Sequence, residues 1–124
     1  MSVPVPVDRL AAELDRFGPS AYLLTASDDG RPHAVHVDVR LDGDALTVAV
    51  GKRTAANAAA RPAVALLWVP WEAGGYNLIV DGDASLDGEA VLRVRPTKGV
   101  LHRSQAAPGS VEAGACGNDC LPLT

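Results

Sequence analysis

The sequence predicts a mainly β domain: a six-stranded antiparallel barrel, closed or partly closed, with two short helices. Three observations predict it. Short apolar runs alternate with polar residues at period two, Asp-Gly pairs punctuate them, and helical periodicity surfaces only twice in 124 residues. Tight turns make neighbouring strands antiparallel, and closure is a common way for such a sheet to remove its edges.

Each element has its own local cause. Leu10, Leu14 and Phe17 recur at helical spacing after Asp8, and Gly18-Pro19 ends the run, so residues 8–17 read as one amphipathic helix. Residues 21–27 form a short apolar strand, and residues 27–32 are dense in turn formers around Asp29-Gly30. From His33 to Leu41 the alternation is strict. Val35, Val37, Val39 and Leu41 take one face, and His36, Asp38 and Arg40 take the other. Asp42-Gly43-Asp44 turns the chain into a strand over 45–50, with Leu46, Val48 and Val50 on its apolar side. Thr54 is placed to cap a helix through Ala55–Ala60, which Pro62 stops. The almost wholly apolar stretch 63–69 reads as a strand buried on both faces, closed by Pro70 and Trp71. A loop over 72–75, a strand over 76–84, a turn at Asp87-Gly88 and a strand over 89–94 complete the barrel. The last strand can run on past Pro96 toward His102.

A chain of 124 residues is one domain, able to bury roughly two-thirds of its unfolded surface. The composition places that domain at 1–105 and a flexible Gly/Ala-rich tail at 106–124. A net charge of −4 and dispersed basic residues exclude a nucleic-acid surface. No apolar run is long enough to span a bilayer, and the start of the chain lacks the pattern of a signal peptide, so a cytoplasmic protein is expected. Cys116 and Cys120, spaced CxxxC, have no neighbouring His or Cys to complete a zinc site. They read as reduced thiols, with a disulfide or redox role as the alternative.

The most informative segment is 44–62, where a strand ends in Gly51-Lys52-Arg53-Thr54 at the mouth of a short Ala-rich helix. A helix start offers unpaired N–H groups and the positive end of a dipole. Two cations and a hydroxyl at the same corner make an anion site, the alternative being two solvated cations beside a capped helix. It is not a phosphate-binding Walker loop, which needs a glycine where Leu46 stands and a Ser or Thr where Arg53 stands. A dinucleotide site is unsupported as well, because no GxGxxG occurs. On the polar strand face, His36 and Asp38 lie on one side, about 7 Å apart. They fit a solvated or interface face, or an acid–base pair. Trp68, Trp71 and Tyr76 flank one loop as core or interface anchors, one of them alternatively facing a planar ligand.

The runs DGRPHAVHVDV, LTVAVGKRTAANAAARPAVALLW and YNLIVDGDA resemble the flavin-binding split barrels of the pyridoxamine 5′-phosphate oxidase-like superfamily, including relatives that bind the deazaflavin F420. The similarity spans about residues 8–100. It implies a homodimer that holds FMN, or alternatively F420, in a groove at the subunit interface. It also implies an oxidoreductase acting on a small molecule, or else a non-catalytic flavin-binding module. By the same resemblance Lys52, Arg53 and Thr54 would clamp the cofactor phosphate, with Asn57 a nearby contact from the helix. Val35, His36, Val37 and Asp38 would border the ring system, and Val48, Val50 and Gly51 the ribityl chain. The chain departs from true pyridoxamine phosphate oxidases in lacking their C-terminal basic segment, so pyridoxamine phosphate is not its expected substrate. No residue need act as a nucleophile, because the flavin carries the hydride or electrons.

Overall fold

The computed structural model describes residues 1–104; Cys116, Cys120 and the expected tail lie outside the described residues. Its strands are β1 (Ser2–Val5), β2 (Ser20–Ala26), β3 (Pro32–Asp42), β4 (Ala45–Ala49), β5 (Ala63–Trp68), β6 (Asn77–Leu86) and β7 (Val91–His102). The helices are α1 (Leu10–Phe17), entered through a 3-10 turn at Val7–Arg9, and α2 (Lys52–Ala60). Strands β2–β7 close in the order β7-β4-β3-β2-β5-β6, with β6 pairing back onto β7. All pairings are antiparallel. The expected six-stranded barrel with two short helices is present, and β1 is an addition to it. Pro4 and Pro6 hide β1 from a sequence reading. A proline cannot donate to a ladder, and this strand survives only as an edge paired to β7.

Period two fills the interior. Leu23, Leu46, Leu66, Trp68, Leu78 and Leu92 point inward and are fully buried. Leu10 of α1 is buried against the same cluster, and Leu14 and Phe17 pack on it, so the helix covers one end of the barrel. The Trp68 indole N–H donates to the Gly18 carbonyl at 2.9 Å, which ties the end of α1 to β5. Gly18 has φ +82°, a left-handed conformation that lets the chain leave the helix sharply.

Three local expectations are corrected. Leu41 continues the alternation of β3 and pairs with Leu46, but is 49% exposed, because it stands at an opening of the barrel rather than in its filled interior. Strand β5 is buried on one face only: Val64, Leu66 and Trp68 point inward, while Ala65 and Leu67 are half-buried on the outside. Helix α2 starts two residues before Thr54. Its N-cap is Gly51, and no side chain caps it.

Strand length decides where the barrel opens. β4 has 5 residues, and its neighbours β3 and β7 have 11 and 12. Only residues 39–42 of β3 pair with β4, so its 32–38 stretch is bonded to β2 alone and presents a free edge. On the opposite side, β4 takes residues 91–94 of β7 and β1 takes 99–102, which leaves 95–98 unpaired on that edge. Pro96 falls in this interval, where its missing N–H discourages pairing. It faces Gly82 across a bulge between Asp81 and Gly82. A Cβ on Gly82 would lie 2.6 Å from Val94 Cγ1 and 2.7 Å from the Arg95 carbonyl oxygen, so no larger residue fits without movement.

Candidate functional site: a groove at the free edge of β3

The first opening is a groove of about 610 Å³ between the free edge of β3 and the start of α2. From β3 it takes His33, Val35, His36 and Val37, and from the end of β4 Ala49 and Val50. Gly51, Lys52, Arg53 and Thr54 close its far end. The two sides offer different chemistry. Among the described residues the β3 edge has no partner strand on that side, so its backbone N–H and C=O groups are open to donors and acceptors of a ligand. The α2 side carries positive charge.

That charge has an identifiable origin. Gly51 is extended (φ −84°, ψ 178°), and the helical ladder begins with the Ala55 N–H donating to its carbonyl at 3.0 Å. The amides of Lys52, Arg53 and Thr54 precede this bond and have no helical acceptor. A Ser or Thr at the cap would have occupied one of them. With glycine there all three remain open, and the dipole of the 9-residue helix points the same way. Lys52 and Arg53 are exposed and form no ion pair among the described residues. Thr54 is buried, in the first turn of the helix.

Eight of the residues expected at the site from the sequence line this groove: Val35, His36, Val37, Val50, Gly51, Lys52, Arg53 and Thr54. Three others lie elsewhere. Val48 is buried inside the barrel, and Asp38 is exposed on the outer face, opposite Ser20. Asn57 is buried on the side of α2 that faces the sheet, where its amide donates to Thr25 Oγ1 at 3.2 Å. Two lining residues, His33 and Ala49, escaped the sequence reading. The signal for His33 was its parity, since it shares a face with Val35 and Val37. His102, also without an evident role in the sequence, pairs its Nδ1 with Ser2 Oγ at 3.1 Å and joins β7 to β1.

His36 belongs to two surfaces. Its Nε2 pairs with Ser20 Oγ, and its ring meets Tyr22 edge-on at 5.6 Å. From there an outward-facing row runs across the sheet: His36 opposite Tyr22, Tyr22 opposite Leu67, Leu67 opposite Ile79 and Ile79 opposite Val100. This row is apolar apart from His36, and none of its members is fully buried. Among the described residues the groove lining contains no carboxylate and no thiol. Among the described residues no group of three His, Cys, Asp or Glu side chains comes together as a metal site would require. No helix among them is long and apolar enough to cross a membrane.

No protein-family model matches the chain. Two curated relatives, uncharacterized proteins of Mycobacterium bovis and Mycobacterium tuberculosis, are each 39% identical over 94% of this chain and 93% of their own length. Among solved structures, a candidate pyridoxamine 5′-phosphate oxidase of Listeria innocua superposes with a TM-score of 0.64 at 21% identity, covering 79% of this chain and 98% of that one. A FAD-binding protein of Mesorhizobium loti gives 0.62 at 13% identity over 85% and 98% of the two chains. An F420 reductase gives 0.54 at 19% identity over 63% and 86%. At these identities the structural likeness is one of fold, and the fold is the one described above: a closed six-stranded barrel split along one strand edge. The chain belongs to the family of its two mycobacterial relatives, and its fold is that of these split-barrel structures.

Proposed function

We propose that the chain is an FMN-binding oxidoreductase acting on a small molecule, with the cofactor in the groove at the free edge of β3. One observation carries the reading. A single groove joins a strand edge to a helix start without a side-chain cap, flanked by two cations, all three without a partner among the described residues, and this suits a planar heterocycle with a phosphate tail. Arg53 and Lys52 hold the phosphate with the open amides of α2, while Val35 and Val37 border the ring and Val50 and Gly51 its chain. A bound flavin supplies hydride or electron transfer. The protein's share is position and electrostatics. His36, held by Ser20 and Tyr22 at the groove, is the side chain placed to move a proton at a substrate atom.

We also propose that the working form is a cytoplasmic homodimer. The apolar row from Tyr22 to Val100 ends at His36 on the groove rim, so a second copy seated on it would wall the open side of the cofactor site. A monomeric mass at micromolar concentration in light scattering would count against this.

The alternative cofactor is F420, whose phosphate and tricyclic ring suit the same clamp, and an F420 reductase shares the fold. A non-catalytic flavin-binding module would use the groove without a substrate. Adding FMN, F420 or neither to the purified protein and recording the visible spectrum with equilibrium binding decides among them. Tight binding of FMN with a perturbed flavin spectrum is expected. Preference for F420 selects the alternative, and binding of neither removes the proposal.

A further inference from the structure

The second opening of the barrel lies at the other end of β4, and it is lined quite differently. It is a cavity of about 580 Å³ beneath the entry to α1, within the size range of small-molecule sites. Its walls are apolar: Val7, Leu10, Leu41, Leu46 and Pro96. Its polar side chains are two carboxylates, Asp8 and Asp44, and no cation lines it.

The cavity is a product of specific residues. Strand β4 ends before residues 95–98 of β7, Pro96 withholds a donor from that edge, and the Gly82 bulge behind it bends β7 locally. Leu41 and Val7, 49% and 41% exposed, stand at its mouth. They extend the apolar lining of the cavity out to its rim. Asp42, next to the β3–β4 turn, spends its charge on Arg93 at 2.7 Å, and this pairing raises the Arg93 pKa further above its ordinary value. Asp8 and Asp44 form no ion pair among the described residues, although Asp44 adds a weaker pull on the same Arg93 from a longer distance.

We infer that this opening is a second ligand site, selective for a small organic cation with an apolar body, such as an aryl or branched alkyl ammonium. The aliphatic walls take the body, and the two carboxylates at the rim take the charge. This inference is independent of the flavin reading, since none of its residues lines the groove at β3.

The test is an amide-resolved NMR titration of the whole chain with benzyltrimethylammonium, and in parallel with benzenesulfonate as an anion of similar body. The cation is expected to shift amides of residues 7–11, 41–46 and 95–97 in a saturable way, and the anion to leave them unmoved. Asp8→Asn with Asp44→Asn, both at exposed positions, should weaken the cation roughly fivefold, from two partly solvated charge contacts. The same spectra report whether this double variant is folded. Should it not fold, Leu41→Lys, also at an exposed position, replaces it and should abolish cation binding by placing a like charge at the mouth. Absence of saturable shifts, equal binding of the anion, or a variant that binds as the wild type does would each overturn the inference.

Discussion

The two openings of this barrel arise from one cause and differ in everything that decides a ligand. Both exist because β4 is outrun by its neighbours, β3 at one end and β7 at the other. The groove at β3 is lined by Lys52, Arg53, two histidines and a bare strand edge; the cavity at β7 is lined by aliphatic side chains and two aspartates. A short strand in a closed sheet therefore makes two openings of opposite charge without altering the core between them. What separates them is the element that follows each break. Past Ala49 the chain enters a helix with its amides exposed, whereas the β7 gap is roofed by the side chains of α1 and the turn before it.

The largest expected effect tests the wall that the openings share. Leu46 is fully buried, sits opposite Val94 and lines the acidic cavity. Leu46→Ala should destabilise the fold by about 2–5 kcal/mol in urea denaturation, as loss of a buried leucine generally does. A cost well under 1 kcal/mol would show that β4 is not a packed wall. Next comes the groove alone. If Arg53 holds the phosphate as proposed, Arg53→Ala should weaken FMN by roughly 10- to 150-fold, about 1.5–3 kcal/mol, the worth of one charge-assisted contact. Riboflavin, which lacks the phosphate, should bind weakly and be almost indifferent to the change. Equal losses for the two ligands would mean that Arg53 does not touch the phosphate.

Gly82→Ala probes the acidic opening from behind. Its new Cβ must displace Val94 and the Arg95 carbonyl, so a destabilisation of about 1–3 kcal/mol is expected from overpacking. FMN affinity should stay within twofold of wild type. A matching loss of FMN would show that the two openings are mechanically coupled. The smallest effect is expected for Lys52→Ala, since in the proposed clamp its flexible ammonium would act only as a point charge. A loss of FMN affinity larger than that of Arg53→Ala would reverse the roles of the two cations.

What the sequence disclosed follows the range of the interactions involved. The alternation of β3 and the Asp-Gly turns are local, and strands and turns appear where those signals stand: Gly30, Gly43 and Gly88 all take positive φ. Strand β1 is illegible in the sequence because Pro4 within it and Pro6 just after it argue against pairing, and only the distant edge of β7 overrides them. The start of α2 was read late because Thr is a familiar cap, whereas glycine also serves and leaves no side-chain trace. Asn57 is expected from the sequence as a contact from the helix near the cofactor phosphate. Packing of α2 against β2 turns it inward to Thr25, a relation that requires two elements 32 residues apart. The openings themselves depend on the relative lengths of three strands. No window of the sequence contains that comparison.

Strand β7 has a consequence for how the molecule is made. It is the final strand of the described chain, and it pairs with β1, β4 and β6. Until its residues leave the ribosome, β1 has no partner, β4 lacks one neighbour and the β6 edge stays open. A nascent chain thus holds three unpaired edges to the end, a state that invites pairing between chains. Closure brings together segments as far apart as Ser2 and His102, and ordering such separations slows folding. The interval between synthesis of β6 and docking of β7 is the window in which this barrel is most exposed to aggregation.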